Sequence, residues 1–209
     1  MQMNTDLIKL IQTEIKENGL PGEKSHLKMT PYRRLTTSIP ENPKLGAVLL
    51  LLYKKENDWF FPLTERKEYD GVHSRQMSFP GGKVETEDSS FYHAAIRETE
   101  EEIGINREHI TRLTDLSKLY IPPSNFMVHP YVGVLDSIPI FVKQEEEVES
   151  VVEVSLNELM DDSIEGQTLV NVRGGMKMKT PYFHLQDKVV WGATAAILSE
   201  FKDILKKFA

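Results

Sequence analysis

The sequence predicts an α/β (α+β) fold, a mixed β-sheet with helices packed against it. Three observations predict it. Residues 45–53 form an apolar run of strand length, and after a polar turn at 54–58 a second strand-like run follows at 59–64. Residues 89–103 and 193–207 have helical content and length. Strands and helices then intermix without the regular strand–helix–strand beat of a doubly wound parallel sheet.

Near the start, residues 4–18 place Leu7, Ile8, Ile11 and Ile15 at helical spacing, with Asn4 or Thr5 as caps and Gly19 as a stop. Residues 21–43 contain four prolines and several basic residues, and read as irregular. The chain therefore divides into an N-terminal helix and lead-in (1–27) and a main domain (28–209). Within that domain the runs 45–53 and 59–64 make a hairpin. A short strand at 76–79 is ended by Pro80-Gly81-Gly82, which continues neither strand nor helix. The helix at 89–103 has Asp88 or Ser89 to cap it and Gly104 where a left-handed residue closes a helix. Strand-like content returns at 111–121, 131–135 and 149–154, followed by a short helix at 156–160. A turn at 173–175, a strand at 182–185 and a terminal helix at 193–207 complete the chain. Met176 and Met178 alternate with Lys177 and Lys179, the pattern of an exposed strand or loop.

Composition excludes several functions. With 209 residues, 40% hydrophobic and 27% charged, the chain is neither disordered nor fibrous. A formal charge of −7 lacks the basic field of a nucleic-acid binder. The longest apolar run is far shorter than a membrane span, so no membrane partner is expected. Cysteine is absent, which removes disulfides and thiol chemistry. The amino terminus has no basic lead before an apolar block, so a cytoplasmic location is expected.

Chemistry concentrates in residues 82–105. Glu98, Glu101 and Glu102 stand three and four apart on one helix, so their carboxylates project to one side and repel. A hard divalent cation, Mg²⁺ or Mn²⁺, is the natural occupant of such an oxygen cluster. Arg97 can pair with one glutamate and hold its rotamer, while Gly81 and Gly82 let backbone approach a ligand closely. A glutamate-rich helix is more often a solvated face, but the order of these residues says otherwise.

Gly82, Arg97, Glu98, Glu101, Glu102, Gly104 and Ile105 fit the box G-x5-E-x7-R-E-U-x-E-E-x-G-U, where U is aliphatic. The sequence resembles the Nudix hydrolases, whose fold is an α/β/α sandwich and whose members cleave nucleoside diphosphates linked to another group. Three departures are visible. Asp88 stands where the box has Glu, and Arg97 comes one residue late; Thr99 also replaces an aliphatic residue. The extra residue is usual in the subgroup resembling coenzyme A pyrophosphatases. That subgroup's signature LTxR-x6-H-x5-FPGG stands here as Leu63, Thr64, Arg66, His73, Phe79, Pro80, Gly81 and Gly82, with Asp70 and Arg75 departing from it. Ser124-Asn125-Phe126, Pro130-Tyr131-Val132-Gly133 and Trp191-Gly192-Ala193-Thr194-Ala195 also look like this subgroup.

The resemblance implies metal-dependent hydrolysis of coenzyme A or its derivatives to 3′,5′-ADP and 4′-phosphopantetheine. The alternatives are ADP-ribose, NADH or dinucleoside polyphosphates as substrates, or a silent nucleotide-binding module. It implies Glu98 and Glu102 first, then Glu101, as metal ligands, with Arg97, Glu98, Glu101 and Glu102 the catalytic set. Arg66, Arg75, Gly81, Gly82 and Lys83 are the substrate-binding candidates. The general base is a box glutamate or a member of the run at 145–149. His73, His93 and Trp191 read as structural, although Trp191 could stack on adenine. The expected partner is a small-molecule nucleotide, and a homodimer is an admissible assembly.

Overall fold

The computed structural model describes residues 7–31, 38–67, 76–172 and 176–208. Helices α1 (Leu7–Asn18) and α2 (Glu23–Lys28) precede strands β1 (Lys44–Lys55), β2 (Asp58–Arg66), β3 (Met77–Ser78) and β4 (Gly81–Lys83). Helix α3 (Phe91–Ile103), strands β5 (Ile110–Asp115), β6 (Leu119–Ile121), β7 (Phe126–Leu135) and β8 (Val148–Ser155) and helix α4 (Leu156–Met160) follow. Strands β9 (Glu165–Val172), β10 (Met176–Leu185) and β11 (Lys188–Trp191) lead into helix α5 (Gly192–Leu205).

The expected mixed sheet is present. Eight strands form one sheet along the path β3-β2-β1-β7-β5, with β4 paired to β1, β6 to β7 and β8 to β2. Strand β1 runs parallel to β7 and antiparallel to β2 and β4. Being central, β1 is covered on both faces, which explains why it reads as a continuous apolar run rather than an alternating one. Ala47, Leu49, Leu51 and Tyr53 pack with Ala94, Ala95 and Ile103 of α3. Leu50 and Leu52 belong to the opposite core with Ala195, Leu198 and Phe201 of α5 and Leu7 and Ile11 of α1. The result is a sheet between helical layers.

Several boundaries differ from expectation. Residues 21–43 are not irregular throughout, because α2 forms within them and is pinned to α5. The buried Glu200 carboxylate accepts hydrogen bonds from Gly22 N (3.0 Å) and His26 Nε2 (3.1 Å). The stretch 111–121 is two strands. Leu116 N still donates to Pro130 O of β7, and the break comes at the next residue, where Ser117 N donates to the Glu200 carboxylate instead of to β7. Strand β7 begins five residues before the expected 131. Strands β9 and β11, absent from the sequence reading, flank β10 in a separate antiparallel sheet. Met176 and Met178 accordingly lie on a strand. The expected turn at 173–175 lies outside the described residues.

Candidate active site

The glycine turn does continue a strand, against expectation. Gly81 and Gly82 pair with Val48 and Ala47 as part of β4. Only glycine fits here. Gly81 has φ 149°, and a Cβ on it would strike the Ala47 carbonyl and the Val48 backbone. A Cβ on Gly82 would sit 2.5 Å from the Glu98 carboxyl carbon. The absence of side chains is what lets the carboxylates of α3 lie against this strand.

Helix α3 is set by its ends. Ser90, one residue after the expected caps, accepts from His93 N, and Gly104 adopts a left-handed conformation (φ 72°) as its N–H donates to Glu100 O. Thr99, at the aliphatic position of the box, is buried and donates its hydroxyl to Ala95 O at 2.7 Å, so its polar atom is satisfied within the helix.

Arg97 organises the acidic groups. Its Nε and Nη2 donate to Oδ1 and Oδ2 of Asp88, both at 3.0 Å. Its Nη1 donates to Glu98 Oε1 (3.1 Å) and Glu101 Oε2 (3.0 Å), and Nη2 also reaches Lys83 O (3.2 Å). The Asp88 side chain is 1% exposed, and its hydrogen bonds from Arg97, first of all, hold its carboxyl well below the usual carboxylate range. His93 also pairs with Asp88, through Nδ1 at 3.0 Å, which agrees with a structural role. Asp88 was not among the expected site residues. The signal for it was present as an acid at the box's glutamate position.

Glu98 and Glu102 are a different kind of pair. Glu102 is 5% exposed and accepts from Gly81 N at 3.3 Å. Burial pushes its carboxyl up to about 8, against the opposing pull of Arg66, and the charges of Glu98 and Glu147 push the same way. Burial likewise raises Glu98. Glu101 is turned outward, 56% exposed, with its carboxylate on Arg97. Among the described residues no three acidic or histidine side chains stand together as a ready-made metal cage. Two desolvated carboxylates that penalise each other's charge are nonetheless the donor chemistry that a hard divalent cation relieves.

Arg66 is near enough for its charge to pull on the Glu102 carboxyl and, with Gly81, Gly82 and Lys83, lines a cavity of about 400 Å³ that also reaches Trp191. Of the other expected residues, Asp70, His73 and Arg75 lie outside the described residues. The run at 145–149 lies close to the site: Gln144 N donates to Glu102 O (2.9 Å), and Glu147 is the member of the run whose charge bears on both Glu98 and Glu102.

A sheet between helices, with a glycine strand backing the buried Glu102 and the half-buried Glu98, defines the class as an α/β/α sandwich with an acidic site on its glycine strand. The NUDIX domain model matches residues 43–170. An uncharacterized Nudix hydrolase, NudL, from Yersinia enterocolitica is 35% identical over 136 residues, covering 65% of this chain and 69% of its own. A protein of the same name from Photorhabdus laumondii is 30% identical over 81% of this chain and 87% of its own. Among solved structures, the Nudix hydrolase RenU from M. smegmatis superposes with TM-score 0.56 at 13% identity over 87% of this chain and 95% of that one. A MutT protein from Methanosarcina mazei gives 0.51 at 19% identity over 80% and 99%. The chain belongs to the Nudix family. It is a pyrophosphatase of nucleoside diphosphate derivatives, in a family that generally uses divalent metals. No helix among the described residues is long and apolar enough to cross a membrane.

Proposed function

We propose that this protein hydrolyses the diphosphate bond of coenzyme A or a derivative, releasing 3′,5′-ADP and 4′-phosphopantetheine or its acyl form, in the cytoplasm. The observation that carries the reading is the meeting of two sequence signatures at one place. Arg66, from the run Leu63-Thr64-Glu65-Arg66, lines one cavity with Phe79, Gly81 and Gly82 of the Phe79-Pro80-Gly81-Gly82 run, and Gly81 N donates to the Glu102 carboxylate.

Glu98 and Glu102 would hold Mg²⁺ or Mn²⁺, and Glu101 would join them as a third ligand on leaving Arg97. When bound, the cation neutralises diphosphate charge and makes a water more acidic. The protein's own groups do the rest. Arg66 and Lys83 bind phosphate oxygens, Arg66 being suited to a bidentate grip. Gly81 and Gly82 let the diphosphate approach the backbone. Arg97, fixed by Asp88, holds the Glu98 carboxylate in place. Glu147 takes the proton as the water oxygen bonds to one phosphorus, the P–O–P bridge breaks, and the second phosphate departs with the bridging oxygen.

The test is release of 3′,5′-ADP from coenzyme A by the purified protein with Mg²⁺, Mn²⁺ or EDTA, beside ADP-ribose. Metal-dependent release from coenzyme A, faster than from ADP-ribose, is expected. ADP-ribose turned over much faster would overturn the substrate assignment, and no release from either would overturn the proposed reaction.

A further inference from the structure

The cavity next to β4 is larger than diphosphate binding alone calls for. At about 400 Å³ it has the size of a small-molecule site. Arg66 and Lys83 are the only charged side chains on its wall among the described residues, and both belong to the end where Gly81 and Gly82 touch Glu102 and Glu98. Away from that end the wall is apolar, with Met77, Phe126, Val128 and Ile197 joined by Trp191 from the turn into α5. Polar atoms there are mostly spent. Thr194 Oγ1 donates to Met77 O (2.9 Å), and the Ser78 hydroxyl pairs with Thr64 Oγ1 (3.2 Å). Ser124 Oγ is buried on this wall with no hydrogen-bond partner among the described residues.

We infer that this cavity binds the uncharged, largely aliphatic arm on one side of the scissile diphosphate. Trp191 and Phe126 supply packing surface, and Ser124 Oγ bonds an amide of the arm. The inference rests on the coenzyme A reading, in which that arm is pantetheine. The nucleotide half does not suit the same wall. An adenine edge needs an acceptor for its amino group and, beside it, a donor for a ring nitrogen, and a single hydroxyl such as Ser124 cannot meet both at once. A 3′-phosphate needs cations beyond the two already at the diphosphate end.

Fluorescence can read the cavity directly. Of two tryptophans, Trp59 is buried in the core with no partner for its Nε1 among the described residues, so W59F leaves Trp191 as sole reporter with no hydrogen bond lost there. Pantetheine and 4′-phosphopantetheine are expected to change Trp191 emission saturably, and 3′,5′-ADP is not. S124A is expected to weaken 4′-phosphopantetheine about fivefold, the effect of one hydrogen bond. In the otherwise unaltered protein, W191A is expected to raise KM for coenzyme A at least tenfold while kcat stays within about threefold. Calorimetric titration of the unaltered protein with 4′-phosphopantetheine covers the case in which W59F does not fold.

A response to 3′,5′-ADP but not to pantetheine, or no response to either, overturns the inference. Coenzyme A hydrolysed without a Trp191 response to pantetheine sinks the cavity assignment alone. A saturable pantetheine response without hydrolysis supports the cavity and sinks the proposed reaction.

Discussion

Asp88 grips Arg97 through both carboxylate oxygens, each at 3.0 Å, and Arg97 in turn holds Glu98 at 3.1 Å. Asp88 therefore acts on the site only through Arg97, as a positioning residue. Asp88→Asn leaves one oxygen to accept and turns an amide donor towards the guanidinium. Charge-assisted bonds of this kind are worth roughly 1.5–3 kcal/mol, so kcat is expected to fall about 10- to 100-fold with little change in KM. Steady-state kinetics on the variant checks this, and a rise in KM with unchanged kcat would contradict it.

Glu102 carries an ionisable group where burial opposes its charge. Glu102→Gln keeps an oxygen for the Gly81 amide and removes the charge. Activity is expected to fall by about two orders of magnitude or more, while metal-free stability rises or is unchanged. Rate assays at saturating Mg²⁺ and thermal melts in EDTA measure the two effects separately. Near-normal turnover would contradict the assignment of Glu102 as a metal ligand.

Much of this site was legible because its parts are close in sequence. Helix α3 carries its own stop at Gly104 and the spacing of Glu98 and Glu102, so local chemistry sufficed for these, whereas its cap is Ser90, one residue past the expected Asp88 or Ser89. The layered fold was legible for a similar reason, since only a strand covered on both faces tolerates a run like that of β1. Where partners are distant in sequence the reading stopped. The grip of Asp88 on Arg97 spans nine positions and requires the turn into α3 to be folded. The second sheet was hidden by Gly166 in β9 and Pro181 in β10, residues that argue against a strand interior and are accommodated in a small outlying sheet. The cavity is assembled from β1, β3–β4, the β6–β7 connection and the start of α5, and none of these announces it locally.

Gly82 is expected to be intolerant of any side chain for a reason that activity alone reveals. A Cβ there would lie 2.5 Å from the Glu98 carboxyl carbon, so Gly82→Ala must displace that carboxylate. The backbone of Gly82 has no positive φ to lose, and the glutamate is the flexible partner, so the fold should survive with a penalty of about 1–2 kcal/mol. Turnover should drop at least 100-fold. A variant with normal melting and normal kcat would show that the Glu98 position is not needed.

Glu200 makes the acid limb of stability testable far from the catalytic glutamates. It is fully buried and accepts from Gly22 N, His26 Nε2 and Ser117 N at 3.0–3.1 Å. Burial raises its carboxyl, but the bonds from His26 and Ser117 together outweigh burial and bring it below the ordinary 4.5. A carboxyl lowered on folding contributes stability that is fully present above its unfolded value and is lost as pH falls through its folded one. Glu200→Gln must turn an amide donor towards one of three donors, a cost of about 1–3 kcal/mol at pH 7, or about 3–10 °C in Tm for a chain of this size. Melts of both proteins from pH 7 to pH 3 should show the gap closing below about pH 4.5, because the wild type loses there a contribution that the variant never had. A gap that stays constant across the range would mean that the ionised carboxylate does not secure α2 to α5.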